Sequence, residues 1–160
     1  MYELKGRPRA QPTALVAASV AALVELLPEL DARVAELLPA PLTLVVPNPA
    51  RRFPWLTGTN PDALGVRVPV LPDVTRALLE RTGAVVATSA NAPGGADPRR
   101  VADVPELIRS GAAAVVDGGE LPGTPSTVVD LTAKEPQILR SGAVPADEVL
   151  RRLSAAVRSS

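Results

Sequence analysis

Residues 83–95 read GAVVATSANAPGG, an apolar run that changes abruptly into small polar residues and then into glycines. The run 84–87 predicts a buried strand, because β-branched side chains suit an enclosed, pleated surface. Thr88, Ser89 and Asn91 follow where the chain leaves that strand, and the residues after them predict a loop. Ser89 and Asn91 are two positions apart, so they share one face if the strand continues.

The sequence on either side predicts interleaved helices and strands. Residues 13–27 are Ala-rich and apolar at helical spacing, which predicts a buried helix. Pro72 and Asp73 mark the start of another helix, and Gly83 marks its end. Helices are predicted at about 29–38, 71–83, 101–109 and 145–158, and strands at 41–47, 64–69, 84–90, 113–119, 126–132 and 137–142. Because the later strands follow one another closely, we expect an α/β (α+β-like) fold with a twisted mixed sheet, flanking helices and one domain over residues 1–160.

Composition excludes several classes of chemistry. The 160 residues include no Cys and no His, which excludes disulfides, thiolate nucleophiles, cysteine zinc sites and imidazole acid–base catalysis. Lys plus Arg and Asp plus Glu both number 17, so the net charge predicts no general attraction to nucleic acid or membrane. No stretch is apolar for long enough to span a bilayer, and the N-terminus lacks an apolar signal segment. We therefore expect a soluble, cytoplasmic protein.

Polar or cationic residues gather beside predicted strand ends in five segments: 5–12, 65–69, 88–91, 123–130 and 138–142. Lys5 and Arg7 share a face in an extended segment, and Pro8 disfavours helix there, so the pair predicts an anion site. Strand alternation places Arg67 on the face opposite its valine neighbours. Each feature has a plainer alternative: a solvated basic terminus for the first pair, an exposed strand face for Arg67, and local turn chemistry at 88–91.

In this order, the segments resemble the YrdC-type threonylcarbamoyl-AMP synthases. The resemblance rests on YELKGRP with its Lys-x-Arg motif, PLTLVV, GVRVP, ATSAN with its Ser-x-Asn motif, and STVVDLT followed by ILRSG. It extends from about residue 2 to residue 144, and the PTDTVYGL-like segment that normally precedes the Lys-x-Arg motif is not in this sequence. The resemblance implies the YrdC/RibB-like fold.

The implied reaction converts L-threonine, bicarbonate and ATP into threonylcarbamoyl-AMP and pyrophosphate. A partner transferase would then modify tRNA next to the anticodon. By resemblance, the ATP-binding residues are Lys5, Arg7, Gln11, Asn91 and Arg140, and the threonine-binding residues are Arg67, Ser89 and Ser126. No residue is assigned as a catalytic group or metal ligand, and Mg²⁺ is expected on the nucleotide phosphates.

Two other functions fit the same segments. One is a non-catalytic YrdC-like module that binds nucleotide or RNA, with a basic rim supplied by Arg9, Arg51, Arg52, Arg99 and Arg100. The other is a carbamoyl-adenylate enzyme, which would ignore threonine.

Overall fold

The computed structural model describes the backbone of residues 1–158 and the side chains of residues 1–32, 34–73 and 75–155. The strands are β1 (Ala14–Ala17), β2 (Leu42–Pro47), β3 (Ala63–Arg67), β4 (Ala84–Ala87), β5 (Thr127–Asp130) and β6 (Gln137–Arg140). The helices are α1 (Val20–Leu26), α2 (Ala32–Ala35), α3 (Asp73–Thr82), α4 (Glu106–Ser110) and α5 (Ala146–Arg158), with a 3₁₀ turn at Val101–Asp103.

The six strands form one sheet in the order β4-β1-β3-β2-β5-β6. β1 runs parallel to β3, and β2 runs parallel to β5. The pairs β1–β4, β2–β3 and β5–β6 are antiparallel. The prediction of a mixed sheet with flanking helices is therefore confirmed.

Strand alternation divides the sheet into a core face and an open face. On the core face, leucines and valines of four strands pack against α1, α5 and the segment after α2. Leu64 and Val66 are almost fully buried there. On the other face, α3 covers one end through Leu79, which packs near Val16 of β1. The rest of that second face is open, and it carries valines together with small or polar residues such as Gly65 and Thr43.

Residues 13–27 are not one helix, and this prediction was wrong. Residues 14–17 form β1, which pairs with β3 on one side and β4 on the other. Ser19 then caps α1 by accepting a hydrogen bond from the Ala22 amide at 3.1 Å. Sheet pairing satisfies the β1 backbone along both edges, and this tertiary gain exceeds the weak helix preference of alanine.

Other expectations also require correction. Residues 113–119 form no strand, since Val115 and Val116 are exposed and have no neighbouring strand to pair with. β4 is not buried: it is an edge strand with β1 as its neighbour, and Val85 and Val86 are each 38% exposed. The segment around Lys5 is not extended, because amide–carbonyl bonds from residues 5, 6 and 7 fold it into turns. The predicted helices near 29–38 and 101–109 are shorter or split.

α3 begins at Asp73 after Pro72 and ends at Gly83, as predicted. Gly83 has φ 78°, the left-handed conformation that favours glycine at a helix end. Within residues 1–158, no helix is both long and apolar enough to cross a membrane.

Candidate functional site

The open face of the sheet forms the floor of a cleft with a volume of about 760 Å³. Thr43, Gly65 and Val128 contribute to the floor because they alternate with core residues along their strands. The segments that follow β4 and precede β5 form the walls, which include residues 97–101, 118, 119 and 121–126.

The cleft concentrates positive charge in a chain whose formal net charge is zero. Its charged lining residues are Arg7, Arg67, Arg99, Arg100, Arg140, Asp97 and Asp130. Arginines outnumber aspartates in this lining, so the cleft favours anionic ligands.

Arg67 occupies the centre of this arrangement, on the face that alternation predicts. Its Nε and the Nε of Arg7 are buried and lack a hydrogen-bond partner among the described residues. Burial lowers the pKa of Arg67, the positive charge of Arg140 lowers it further, and Asp97 partly opposes both effects. A buried N–H donor without a partner is costly, and an oxygen atom of an anionic ligand that bonds to Arg67 Nε would remove that cost.

Lys5 lies against the strand-end motif, so it is not part of a solvated terminus. It is 9% exposed, and its Nζ donates to the Ser89 carbonyl and to Asn91 Oδ1, the latter at 3.0 Å. Ser89 Oγ lies 2.6 Å from Asn91 Oδ1, and Asn91 Nδ2 donates to the Gly95 carbonyl. The 88–91 segment therefore makes local turn contacts and also anchors a cation from the distant residue 5.

Burial lowers the pKa of Lys5, and the neighbouring Arg7 lowers it further, while Asp97 opposes the shift. Arg7 itself contacts Thr88 Oγ1 at 3.4 Å through Nη1 and donates to the Pro12 carbonyl through Nη2. The two cations thus converge on the end of β4, although the backbone between them is folded.

Ser126 and Arg140 meet on the opposite side of the cleft. Arg140 donates through Nε and Nη2 to the Ser126 carbonyl, at 3.2 and 2.8 Å, and Nη2 also lies 3.1 Å from Ser126 Oγ. The hydroxyl of Thr43 on β2 lies 2.8 Å from the same Oγ. Both Ser126 and Arg140 line the cleft.

The structure brings most of the sequence-predicted site residues together. Arg7, Arg67, Ser89, Ser126 and Arg140 line the cleft, and Lys5 and Asn91 are hydrogen-bonded at its edge. Gln11 is exposed and does not belong to the lining, so its assignment to ATP remains a prediction.

Sequence reasoning missed Thr43 and Asp97, which also line the cleft. Alternation within PLTLVVP could have identified Thr43, because it is the polar residue between two buried leucines. Asp97 lies in a loop, where no periodic signal reports the direction of a side chain.

The donor set of the cleft does not form a protein cage for a divalent cation. Across the described part of the chain, no three His, Cys, Asp or Glu side chains converge on one point. Asp97 and Asp130 are the acidic lining residues, and Asp130 Oδ1 accepts hydrogen bonds from Thr132. These residues fit an ion that phosphate oxygens coordinate and that the protein assists with at most a carboxylate.

Comparison with known proteins relates the chain to one protein family. The family model Sua5_yciO_yrdC, described as telomere recombination, matches residues 1–142. A threonylcarbamoyl-AMP synthase of Pyrococcus abyssi is 33% identical over 155 residues, which cover 93% of this chain and 45% of the relative. One from Halorhodospira halophila is 36% identical over 122 residues, which cover 74% and 63%.

The chain also superposes on solved structures of Sua5 and YciO proteins. P. abyssi Sua5 complexed with L-threonine superposes with a TM-score of 0.81 at 32% identity, covering 94% of this chain and 46% of that one. E. coli YciO superposes with a TM-score of 0.69 at 25% identity, covering 90% and 72%. The chain spans less than half the length of the Pyrococcus relative. The family match covers most of the sequence, and the chain belongs to the Sua5/YciO/YrdC family.

Proposed function

We propose that this cleft synthesises L-threonylcarbamoyl-AMP from L-threonine, bicarbonate and ATP, with release of pyrophosphate. The observation that carries the proposal is Arg67, whose Nε is buried with no hydrogen-bond partner among the described residues, in a cleft that Arg7 and Arg140 also line. Relatives named threonylcarbamoyl-AMP synthase and a relative complexed with L-threonine support the same choice of substrate.

The threonine end of the site consists of Arg67, Ser89 and Ser126. The guanidinium of Arg67 binds the threonine carboxylate, because two parallel N–H···O bonds match that group. The two serine hydroxyls are on opposite walls and bind the polar groups of the amino acid. The donor bond from Arg140 and the hydroxyl–hydroxyl bond with Thr43 hold Ser126 in place before threonine arrives.

The nucleotide end uses Lys5, Arg7, Asn91 and Arg140. The cations Lys5 and Arg7 neutralise phosphate charge at the end of β4, and Arg140 does so from β6. Asn91 orients Lys5 through Oδ1 and supplies amide contacts for the nucleotide. Gln11 joins this set in the proposal by its place in the motif alone.

The reaction requires positioning and neutralisation of charge more than acid–base catalysis by a side chain. The threonine amine, after loss of a proton, attacks bicarbonate to give a carbamate and water. A carbamate oxygen then attacks the α-phosphorus of ATP, and the bond to the β-phosphate oxygen breaks to release pyrophosphate. Arginines and lysine in a fixed arrangement stabilise the charge that develops on the phosphate oxygens. A chain without His or Cys can perform this chemistry.

Mg²⁺, when bound, neutralises phosphate charge and orients the triphosphate, with Asp97 as the lining carboxylate available to it. The adenylate product then passes to a threonylcarbamoyl transferase that modifies tRNA. The names of the relatives support the adenylate product, and the transferase and tRNA enter the proposal from the family resemblance.

Pyrophosphate release by the purified chain tests this function. We expect release that requires ATP, bicarbonate and L-threonine together. Arg67→Ala should lower kcat/KM for threonine by on the order of 100-fold, because it removes a charge-assisted bidentate contact. Arg76→Ala is the matched control, since Arg76 pairs with Asp73 on α3 and does not line the cleft. Release that does not depend on threonine would contradict the proposal and favour the carbamoyl-adenylate reaction.

The alternative of a passive nucleotide- or RNA-binding module makes a different prediction in the same assay, namely ATP binding without pyrophosphate release. Each arginine of the predicted rim has a carboxylate partner: Arg9–Glu3, Arg51–Asp62, Arg52–Glu29, Arg99–Glu120 and Arg100–Glu120. An RNA backbone would have to displace each of these carboxylates to reach the arginines, so the pairing lowers the affinity for RNA that the five arginines alone would predict.

A further inference from the structure

The carboxylate of Glu120 connects the wall segment that precedes β5 to the wall segment that follows β4, because it pairs with both Arg99 and Arg100. Glu120 Oε1 lies 2.8 Å from Arg99 Nη2, and Glu120 Oε2 lies 2.5 Å from Arg100 Nη2. Backbone contacts reinforce the attachment: the Leu121 amide donates to the Arg99 carbonyl at 2.8 Å, and Arg99 Nε donates to the Leu121 carbonyl at 3.2 Å. Two arginines thus hold a single internal anion.

Both arginines line the cleft, whereas Glu120 does not belong to the lining. Their guanidinium groups are therefore held at a carboxylate beside the space that a ligand would occupy. The side chains of Arg99, Arg100 and Glu120 are 58%, 63% and 46% exposed, respectively. Ion pairs this exposed contribute little to stability, so a ligand can open them at low cost.

A second carboxylate keeps the two arginines in place without help from Glu120. Asp103 Oδ2 accepts hydrogen bonds from the backbone amides of Arg99 and Arg100, at 3.2 and 3.0 Å. Asp103 therefore orders the backbone of the pair, while Glu120 engages the side chains alone. Loss of the Glu120 contacts would release Nη2 of both arginines toward the cleft, while Arg99 Nε stays bonded to the Leu121 carbonyl.

We propose that Arg99 and Arg100 form a second polyphosphate-binding subsite, which the Glu120 carboxylate occupies until a phosphate ligand displaces it. The inference rests on the proposed function, because it concerns how the same cleft binds the triphosphate or the pyrophosphate product. A phosphate group offers three oxygen atoms and more negative charge than a carboxylate, so it competes well for two guanidinium groups. Glu120 acts as an internal competitor of the ligand.

The test is the affinity of the full chain for ATP and for inorganic tripolyphosphate, measured by calorimetric titration. Glu120→Gln keeps the shape of the side chain and removes its charge, so both ligands should bind about three- to tenfold more tightly. Glu106→Gln is the matched control, because Glu106 pairs with Arg109 and neither residue lines the cleft. The control should bind both ligands with unchanged affinity.

Tighter binding of ATP and tripolyphosphate by Glu120→Gln would distinguish a phosphate-binding subsite from ion pairs that only stabilise the wall. If Glu120 served only to order the wall, its neutral variant would bind the ligands equally well or more weakly, and either result would overturn the inference. Arg99→Ala combined with Arg100→Ala should weaken tripolyphosphate binding and abolish the gain from Glu120→Gln.

The outcome also distinguishes this inference from the proposed function. If threonine-dependent pyrophosphate release persists but Glu120→Gln leaves ATP and tripolyphosphate affinity unchanged, the subsite is wrong and the function stands. If neither ligand binds the wild-type or the variant chain, both the subsite and the use of ATP are wrong.

Discussion

At the scale of single residues, the partners of each cation distinguish the site from the surface. Arg51 and Arg52 have carboxylate partners in solvent, where ion pairs contribute little to stability. Arg67 and Lys5 are buried enough to lose hydration, and no carboxylate lies within ion-pair distance of either among the described residues. A protein retains such groups at a cost, which a ligand of opposite charge can offset.

The lowered pKa of Lys5 predicts a pH dependence of ATP affinity at the proposed nucleotide site. Lys5 attracts phosphate only while it is protonated, so ATP affinity should fall as pH rises through the lowered pKa. This fall should begin at a lower pH than it would for an exposed lysine. Lys5→Arg keeps its charge throughout, so its affinity should stay level to about pH 10. Calorimetric titration at several pH values measures the ATP affinity of the wild type and of Lys5→Arg. An equal loss of affinity at alkaline pH in the two proteins would contradict this role for Lys5.

Stability should change in the opposite direction over the same pH range. Between the lowered pKa and the ordinary lysine value, the unfolded chain binds more protons than the folded chain does. Folding stability should therefore rise with pH in that window, while ATP affinity falls.

The sequence predicted the position of these residues near the cleft more accurately than it predicted the conformation of their backbone. Alternation predicted the face of Arg67, since strand periodicity depends only on residue spacing. The shared face of Lys5 and Arg7 was predicted from an extended segment, yet the residues converge because turns and the contact from Lys5 to Asn91 direct them. Contacts between residues 86 positions apart leave no local signal in the sequence.

At the scale of elements, Gly142 determines how β6 meets the start of β5. A Cβ at this position would lie 2.3 Å from the Pro125 carbonyl oxygen and 2.6 Å from the Thr127 nitrogen. These are backbone atoms on either side of Ser126, so they cannot rotate away as a side chain would. The close approach explains why glycine follows Arg140 so closely in the ILRSG segment.

Gly142→Ala should therefore destabilise the protein by about 1–3 kcal/mol, the usual cost of an overpacked contact. It should also weaken ligand binding, because it displaces Ser126. Gly118→Ala is the control, since its Cβ would meet nothing within 4 Å, and its stability should be unchanged or slightly raised. Urea unfolding measures both variants. A Gly142→Ala protein as stable as the wild type would show that the backbone there adapts freely.

Elements were predictable where local signals agree with tertiary pairing. The Pro72–Gly83 boundaries of α3 carry their own capping chemistry, and the structure confirms them. Residues 14–17 form a strand because β3 and β4 flank them, which an Ala-rich segment cannot reveal. The valines at 115 and 116 predicted a strand, but the structure provides no partner for one.

At the scale of the whole molecule, the two faces of the sheet differ: one packs into the core and stabilises the fold, and the other forms the floor of the cleft. Leucines and valines on one face pack against helices, whereas Thr43, Gly65 and Arg67 lie on the open face. The mixed order of strands brings β3, β2 and β5 side by side, so residues far apart in sequence share one floor. The order of the motifs along the sequence predicted the family. The order of the strands in the sheet could be determined only from the structure.

The proposed function requires that one cleft join threonine, bicarbonate and ATP, and labelled bicarbonate tests this requirement most directly. The folded chain is incubated with the labelled compound, ATP and L-threonine, and the adenylate products are separated and analysed by mass spectrometry. We expect the label in an adenylate that also contains threonine, with none when threonine or ATP is omitted and with on the order of 100-fold less when Arg67→Ala replaces the wild type at limiting threonine. A folded, ATP-binding chain that forms no labelled adenylate, or forms one without threonine, would contradict the proposed function.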